Sequence, residues 1–328
     1  MVINRNAKMK KYNKLLIDKI PEYRIESVKK NGKNRPQDLY DAMHIVAISM
    51  TRSSKFGSLR EGIISPASLI ISWSPSLFTL LLSLLGRNVF YLCWGVPHYK
   101  TSILGYLKEY KLKLILRNAK DVFVNDLVTQ QDVMNITGIK PTKIYYIVDN
   151  NYFYCAPYLN RGDYILVPGN NDRDEKLIVE LSRRGYSIVR LTRDSRVKNL
   201  YDSKFKNDCV DMRFHVSVAQ VRELYQNAKV VILPICSDNH AAGQTAVLEA
   251  ISCGTPVVLS SGRTSTILDG IESVILCHTN TCEEWVAAIE QAASLEENRP
   301  GILKKSSDSI SRHSPSSVST SIIDIVGH

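Results

Sequence analysis

Short runs of apolar, often β-branched residues alternate with segments of helical periodicity along most of the chain. In the first half, apolar runs predict strands at residues 44–49, 69–73, 88–93, 121–124 and 143–148. A buried helix is predicted at 77–85. A long helix at about 101–118 has one face that carries Ile103, Leu107, Leu114 and Ile115.

The second half repeats this alternation after a polar stretch at 150–162, which contains Pro157 and is the predicted linker. Strands are predicted at 164–167, 187–191, 212–215, 230–234, 256–259 and 273–276, and helices at 175–184, 217–227 and 281–293. Such an alternation is typical of parallel sheets with helical crossovers.

A chain of 328 residues is too long for one ordinary hydrophobic core, so two domains are expected. The predicted fold is α/β, with two Rossmann-like domains whose parallel sheets face each other across a cleft. The N-terminal domain is placed at 1–152 and the C-terminal domain at 153–305. A Ser-rich tail at 306–328 is expected to return to the N-terminal domain.

The net charge of +10 is unevenly distributed. Residues 1–40 contain 11 Lys or Arg and 4 Asp or Glu, so 11 − 4 = +7 lies in this segment. A basic segment suits anionic partners such as nucleic acid, phospholipid head groups or phosphorylated substrates, and a solvated amphipathic surface explains the charge equally well. The confinement of charge to the N-terminus, without interleaved aromatic residues, argues against nucleic acid.

The seven cysteines show no paired spacing, and Cys277 and Cys282 do not form a zinc pattern. We therefore expect a reducing, cytoplasmic environment and no bound metal. The N-terminus lacks the apolar core of a signal peptide. Pro66 and Pro75 interrupt the most apolar window, 63–85, and its longest uninterrupted apolar run, 77–85, falls far short of the ~20 residues needed to span a bilayer.

A single carboxylate, Glu249, lies in an otherwise apolar helix that follows the turn Gly243-Gln244-Thr245. A glycine allows the backbone to approach a phosphate closely, and the N–H groups of a helix N-terminus bind anions. A carboxylate one turn further can accept hydrogen bonds from two vicinal ribose hydroxyls. The alternative is that Glu249 forms a salt bridge with a Lys or Arg on a surface helix.

A second glycine turn, Pro168-Gly169-Asn170, follows a predicted strand, with Arg173 and Lys176 at the start of the next helix. These two cations could clamp a diphosphate, Arg as a fork and Lys as a point charge. Cations in a first helical turn oppose the helix dipole, which suggests that an anion compensates them. The alternative is that both are ordinary charges of a helix surface.

Three segments carry a family resemblance: 169–174 with its glycine turn and Arg173, the strand end 231–234, and the run 242–258. Residues 164–290 resemble the donor domain of GT-B glycosyltransferases of the retaining GT4-like type (group 1). The N-terminal domain of that family is matched more loosely, by Leu69 to Pro75, 93–95 and 120–124. The resemblance implies a nucleotide-diphosphate sugar as donor substrate, no cofactor, no metal, and retention of anomeric configuration.

The resemblance also implies a role for each matching residue. Glu249 would bind the donor ribose, Arg173 and Lys176 would neutralise the departing diphosphate, and the backbone at His215 would frame the base. Further donor contacts are implied for Gly169, Asn170, Ala242, Gly243, Gln244 and Thr245.

One position departs from the family pattern. The family places another Glu eight residues before the ribose Glu, where this chain has Ala241. Asp238 or His240 could contact the donor sugar instead. His98 is the first candidate for a catalytic base, although a structural loop histidine is the simpler reading. Trp73 and Trp94 suit either acceptor stacking or core packing.

The sequence therefore predicts a glycosyltransferase that acts on a glycan acceptor carried by a lipid such as a polyprenyl diphosphate. The basic segment predicts peripheral association with an anionic membrane, on the inner face of the plasma membrane. A non-catalytic GT-B partner subunit and a GT-B sugar-nucleotide epimerase remain as alternatives. A nicotinamide dehydrogenase is excluded because no G-x-G-x-x-G follows a first strand.

Overall fold

The computed structural model describes residues 14–17, 68–72, 75–93, 95–96, 103–156, 162–170, 172–205, 210–236, 242–268, 271, 273–295 and 299–326. The chain divides into two compact units. The first contains Met1–Gly32, Gln37–Tyr146 and Pro315–His328, and the second contains Lys33–Pro36 and Ile147–Ser314.

The first unit has a parallel sheet of five strands in the order β1-β2-β3-β4-β5. The strands are β1 (Lys14–Ile17), β2 (Ser68–Ser72), β3 (Asn88–Cys93), β4 (Asp121–Val124) and β5 (Thr142–Lys143). The intervening helices are α1 (Leu77–Leu84), α2 (Ile103–Asn118) and α3 (Leu127–Thr137). Because the strands always step in the same direction, right-handed crossovers place α1, α2 and α3 on one face of the sheet.

Side chains of β3 and β4 form the core of this unit. Tyr91 and Val124 pack with the second half of α2, including Ile115, while Phe90 and Phe123 stack with ring centroids 5.7 Å apart. The helix ends follow from local chemistry: the Asp126 carboxylate accepts a hydrogen bond from the Thr129 N–H and caps α3, which Gly138 ends at φ +75°.

The second unit has a parallel sheet of six strands in the order β11-β10-β9-β6-β7-β8. The strands are β6 (Ile165–Pro168), β7 (Ile188–Thr192), β8 (Val210–Phe214), β9 (Val230–Leu233), β10 (Val257–Ser260) and β11 (Val274–Cys277). The helices are α4 (Glu175–Arg183), α5 (Ser195–Lys204), α6 (Val218–Asn227), α7 (Gln244–Ser252), α8 (Cys282–Leu295) and α9 (Arg299–Arg312). A short 3-10 helix at Arg263–Ile267 follows β10.

The strand order reverses between β6 and β9. From β6 the chain proceeds outward through β7 and β8, and from β9 it proceeds in the opposite direction through β10 and β11. The crossovers consequently leave a crevice at the carboxyl ends of β6 and β9, where open α/β sheets bind ligands. The strands that flank it pack on a hydrophobic core in which Trp285 and Val230 are fully buried.

The α/β prediction is confirmed, since both sheets are parallel and alternate with helices. Several local predictions were wrong. Residues 195–204, predicted as a polar connection, form α5, and 299–312 and 315–326 form α9 and α10 (Pro315–Val326). The strand predicted at 143–148 is reduced to Thr142–Lys143. The strand predicted at 44–49 lies outside the described residues.

The burial predicted for the helix at 77–85 was also wrong, since Leu77, Leu81 and Leu84 of α1 are exposed. Ile103 and Leu107, on the apolar face of α2, are exposed as well. Within the described part of the chain, no helix combines the length and apolar character that a bilayer crossing requires.

Candidate functional site

The loop after β6 folds back onto the end of β9. Arg173 pairs with Ile235 in an isolated antiparallel bridge, the Asp174 N–H donates to the Pro234 carbonyl at 2.8 Å, and the Cys236 N–H donates to the Asp172 carbonyl at 3.0 Å. Arg173 therefore precedes Asp174, the N-cap of α4, and is not in the first helical turn as the sequence predicted.

Arg173 lies between two glycines with left-handed backbone conformation. A Cβ atom on Gly169 (φ +108°) would lie 2.5 Å from Arg173 Nη2, and one on Gly243 (φ +88°) would lie 3.1 Å from the same atom. Both positions thus need glycine for backbone conformation and for space. Arg173 Nε donates to the Pro168 carbonyl at 3.0 Å, which fixes the guanidinium at the switch point.

The Arg173 side chain is buried, and this burial together with the nearby charge of Arg190 lowers its pKa to about 10. The nearby Tyr225, Glu175 and Asp172 raise the pKa of Arg173, but by less than burial and Arg190 lower it. Since a pKa of about 10 remains well above neutrality, the site holds a desolvated cation at pH 7. A desolvated cation attracts a phosphate more strongly than a hydrated surface lysine does.

Arg190, which was not predicted from the sequence, holds the Gly169 turn through hydrogen bonds to its backbone. Its side chain is fully buried in β7 and donates to the Gly169 carbonyl at 2.6 Å and the Leu191 carbonyl at 2.7 Å. Its charge is matched by Glu175, with Nη2 and Oε1 2.7 Å apart, and the Tyr201 hydroxyl donates to the other Glu175 oxygen at 2.9 Å. An arginine inside an otherwise apolar strand was the sequence feature that could have indicated a buried, paired cation here.

Helix α7 begins at the switch point. Its N-cap is Gly243, which has no side chain to satisfy the first N–H groups, and the preceding Ala242 carbonyl accepts a 2.7 Å hydrogen bond from the Thr264 hydroxyl. Gln244 is buried and Thr245 is exposed. The positive end of the α7 dipole and the Arg173 guanidinium consequently act on the same region.

Glu249 is partly buried on the second turn of α7 and faces Tyr225 of α6. Burial raises the pKa of its carboxyl to about 8, although a hydrogen bond with the Tyr225 hydroxyl acts in the opposite direction. Tyr225 is itself fully buried, which raises the pKa of its phenol, and Glu249 adds to that effect.

No Lys or Arg of the described residues forms an ion pair with Glu249, whose pKa reflects burial and Tyr225. Within that part of the chain, the alternative of a surface salt bridge is not supported.

The carboxyl ends of β6, β7 and β8 are tied together beside this cluster. The Asn170 amide oxygen accepts from the Arg193 N–H at 2.6 Å and from the Thr192 hydroxyl at 3.2 Å. His215 adopts φ +56° directly after β8, and its exposed ring lies edge-on to Phe214 with centroids 4.1 Å apart. The strained turn holds an exposed imidazole and its backbone at the sheet edge.

Lys176 is exposed on the first turn of α4. The structure thus brings Arg173, Gly169 and Gly243 into direct proximity, whereas no described contact joins Lys176 to them. His98, His240, Asp238, Ala241, Trp73 and Trp94 lie outside the described residues.

A cavity of about 210 Å³ at the carboxyl ends of β9 and β10 was not anticipated from the sequence. Its walls contain Ser260, the backbone of Gly262 and the buried Arg263, with Ile235, Cys236, Ser261 and Thr264. Ser260 accepts from the Ile235 N–H at 2.8 Å and so joins the cavity to the loop that holds Arg173. Among the described residues, no cluster of His, Cys, Asp and Glu could hold a metal ion.

Comparison with known proteins relates part of the chain to a glycosyltransferase family. Residues 190–294 match the family model of glycosyl transferases group 1. That segment runs from β7 to the end of α8 and includes Glu249 and Gly243, but not Arg173. No curated protein matches the sequence.

Solved structures resemble the chain at low sequence identity. HepE of Anabaena, crystallised with UDP-glucose, is 14% identical over 98% of this chain and 93% of its own, with a TM-score of 0.67. WaaG, a glycosyltransferase involved in lipopolysaccharide biosynthesis, is 15% identical over 81% of this chain and 80% of its own, with a TM-score of 0.56.

TarM is 14% identical over 80% of this chain, with a TM-score of 0.59, and this chain spans only 55% of TarM. The GT-B fold is thereby confirmed, and so is the resemblance to group 1 glycosyltransferases over residues 190–294.

Proposed function

Since residues 190–294 are a group 1 glycosyltransferase segment on a GT-B fold, we propose that the chain transfers a sugar from a nucleotide-diphosphate donor to a glycan acceptor. The transfer retains anomeric configuration and needs no metal. One observation carries the proposal: a buried Arg173 lies between Gly169 and Gly243 at the N-terminus of α7, and the carboxyl of Glu249, hydrogen-bonded to Tyr225, lies on the same helix.

Arg173 and the α7 N-terminus bind the donor diphosphate. Neither glycine carries a Cβ, so no side chain at these two positions separates a phosphate from the Arg173 guanidinium or from the backbone at the start of α7. When the glycosidic bond breaks, the leaving diphosphate gains negative charge, and the fixed cation and dipole stabilise it most at that point. The same positive charge replaces that of a metal ion, and exposed Lys176 adds a more distant charge.

Glu249 binds the ribose of the donor. A pKa of about 8 means that burial keeps this carboxyl protonated at pH 7 when no ligand is bound. Two ribose hydroxyls that donate to the carboxylate compensate its desolvation and favour the charged form. The turn at Asn170 and the backbone at His215 border the place where the base lies.

The donor class is supported by the resemblance to HepE, which binds UDP-glucose, and to TarM of S. aureus, which was crystallised with UDP and a GlcNAc-glycerol. The acceptor is a lipid-linked glycan. The net charge of +7 within residues 1–40 supports this choice, since each Lys or Arg near an anionic leaflet adds about 1 kcal/mol. The resemblance to WaaG supports it as well.

Such an acceptor places the protein on the cytoplasmic face of the membrane. Vesicle flotation with and without residues 1–12, which carry four Lys or Arg and precede β1, tests the contribution of the basic segment. We expect the shortened protein to bind anionic vesicles more weakly, and equal binding by both forms would overturn that part of the proposal.

A thermal-shift panel of UDP, GDP, dTDP, ADP and their common sugars tests donor binding. We expect one nucleotide family to stabilise the protein by about 2.7 kcal/mol at 100 times its dissociation constant. Glu249→Ala should abolish this shift. Glu223→Ala is the matched control, because Glu223 is an exposed carboxylate on α6, the helix that carries Tyr225.

The departure at Ala241 keeps a non-catalytic subunit as the second candidate. That candidate predicts weak nucleotide binding and no release of nucleoside diphosphate with any acceptor. A GT-B epimerase would convert the donor sugar without transfer, which analysis of the sugar product distinguishes.

A further inference from the structure

Tyr225 of α6 is fully buried beside Glu249. Its ring packs edge-on against Phe153 with centroids 6.0 Å apart, and its backbone carbonyl accepts a 2.6 Å hydrogen bond from the buried Thr255 hydroxyl. A phenylalanine would fill the same space and make the same ring contact. The Tyr225 hydroxyl therefore needs its own explanation, because a buried phenol without a partner would cost stability.

The Tyr225 hydroxyl is hydrogen-bonded to the Glu249 carboxyl of α7. The bond joins two helices that pack against each other. Burial raises the pKa of Glu249 to about 8, and the hydrogen bond with Tyr225 acts to lower it, because a phenol that donates to a carboxylate stabilises the charged form. Tyr225 consequently favours the carboxylate, which can accept hydrogen bonds from both hydroxyls of a ribose.

Arg173 acts on the same phenol. Burial and the charge of Glu249 raise the pKa of Tyr225, and the charge of Arg173 lowers it. Tyr225 is thus close enough to interact with both side chains of the proposed donor site, the cation that binds the diphosphate and the carboxyl that binds the ribose.

Helix α6 is fixed at both ends, which defines the position of the phenol. At its start, the Gln220 N–H donates to the Ser217 hydroxyl and the Ser217 N–H donates to the Gln220 side chain at 2.8 Å. At its end, Gln226 Nε2 donates to the Tyr154 carbonyl at 2.7 Å. The Tyr225 hydroxyl is therefore directed at Glu249 by packing that is present before any ligand binds.

The other elements that pack on α7 include β10 and α9. Strand β10 contains no titratable residue. On α6, Glu223 is exposed and Arg222 stacks on tyrosine rings that precede β6. Cys253, directly after α7, acts on Tyr225. The charged residues of α9 whose side chains are described are all exposed: Lys304, Asp308 and Arg312. Among the described residues, the charge of Glu249 therefore depends on burial and on Tyr225.

We propose that Tyr225 is a positioning residue whose hydroxyl holds the Glu249 carboxyl in the charge state and orientation that accept the ribose hydroxyls of the donor. The inference rests on the proposed function, because it assigns to a second residue the ribose recognition proposed there for Glu249. It predicts that the Tyr225 hydroxyl contributes to binding of the ribose rather than of the diphosphate.

Calorimetric affinities for a ribonucleotide and its 2′-deoxy counterpart, measured from pH 7 to pH 9, test the inference. The probes are whichever of UDP, GDP and ADP most stabilises wild type, and the matching dUDP, dGDP or dADP. The ratio of the two affinities cancels the titration of the phosphates. In wild type this ratio should rise with pH and level off above about pH 8, as the Glu249 carboxyl loses its proton.

Tyr225→Phe keeps the ring and removes only the hydroxyl. At pH 7 it should bind the ribonucleotide on the order of tenfold more weakly than wild type and lose less affinity for the 2′-deoxy counterpart. The rise of the ratio should also move to higher pH, because the carboxylate loses a hydrogen bond that stabilised it. Tyr164→Phe is the control, since the Tyr164 hydroxyl donates to the Leu224 carbonyl of the same helix at 2.9 Å.

A hydroxyl that only stabilises the fold would lower both affinities equally and leave the pH dependence of their ratio unchanged, and this result would overturn the inference. A double-mutant cycle gives a second test. In the Glu249→Gln background, Tyr225→Phe should weaken ribonucleotide binding little further, because Tyr225 acts through Glu249. Additive losses would contradict that coupling and overturn the inference as well.

The inference and the proposed function fail in different ways. If no nucleotide stabilises wild type, the glycosyltransferase proposal fails and the inference fails with it. If wild type binds the ribonucleotide and Tyr225→Phe keeps both the ratio and its pH dependence, the inference alone fails. Stabilisation by dTDP alone would also overturn it, since that nucleotide has no 2′-hydroxyl.

Discussion

Replacing Glu249 with Gln should stabilise the ligand-free protein at alkaline pH. In the folded state the Glu249 carboxyl has a pKa of about 8, against 4.5 for an unburied glutamate. Between these two values the unfolded chain loses a proton that the folded protein retains. The free energy of unfolding of wild type therefore falls as the pH rises from 4.5 to 8, and a neutral amide escapes this loss.

The size of the effect follows from the pKa difference. Each pKa unit corresponds to about 1.4 kcal/mol, so the full shift sets an upper limit of about 5 kcal/mol. Glu249 keeps some contact with solvent, which reduces the cost of its charge, and we expect about 2 kcal/mol at pH 9. In a unit of this size, 2 kcal/mol corresponds to a Tm change of roughly 4 to 8 °C.

Scanning fluorimetry of wild type and Glu249→Gln from pH 5 to pH 9 measures this difference. The two proteins should melt together at pH 5, and the variant should melt higher as the pH rises. Glu223→Gln, on the exposed face of α6, should show no such trend. A Tm difference that does not change with pH would refute the raised pKa assigned to the Glu249 carboxyl.

Three other substitutions test the surroundings of Arg173 and the core. Gly169→Ala should cost about 1 to 3 kcal/mol of stability in denaturant unfolding, because its Cβ would lie 2.5 Å from Arg173 Nη2. The same variant should lower the rate at which the enzyme releases nucleoside diphosphate from the donor at least tenfold. Gly185→Ala, with a similar φ of +97° and open space around the Cβ, should lose only the stability that its strained backbone costs. Glu175→Gln should destabilise by about 3 to 5 kcal/mol because Arg190 is left buried without its counter-charge. Glu283→Gln, in an exposed pair with Arg184, should cost far less, and similar losses would contradict the burial of Arg190. Trp285→Ala should cost about 3 to 5 kcal/mol in the same assay, and a smaller loss would mean that the core of the second unit is not closed around this ring.

Strands with buried faces could be predicted well from the sequence. β3, β4 and β9 read as continuous apolar runs because parallel strands are covered on both faces. Helix α5 could not be recognised in the same way, since Tyr201 is its only buried side chain and, apart from Val197 and Leu200, its other residues are polar. Tertiary packing, rather than local pattern, makes that segment helical.

Helix α1 shows the opposite error. Its leucines predicted burial, but an apolar helix face, in α1 as in α2, does not reveal whether a protein core or an outside partner covers it. The exposed Leu77 and Ile103 are therefore informative only in the structure.

The site was predictable only in part. Gly169, Gly243 and Glu249 were found because glycine turns before helices have a local sequence signature. Their relation to each other was not visible, because the Arg173 guanidinium meets both glycines only after β6 and β9 become neighbours in the sheet. Tyr225 and Arg190 were missed for the same reason, since their partners lie far away in sequence.

Calorimetric titration of Arg173→Met beside wild type tests the central claim most directly. The ligands are the nucleoside diphosphate that most stabilises wild type and the corresponding nucleoside. The account predicts that wild type binds the diphosphate far more tightly than the nucleoside, and that the variant loses most of that difference while still binding the nucleoside. If the variant keeps the preference for the diphosphate, Arg173 does not bind the phosphates and the proposed donor site is wrong.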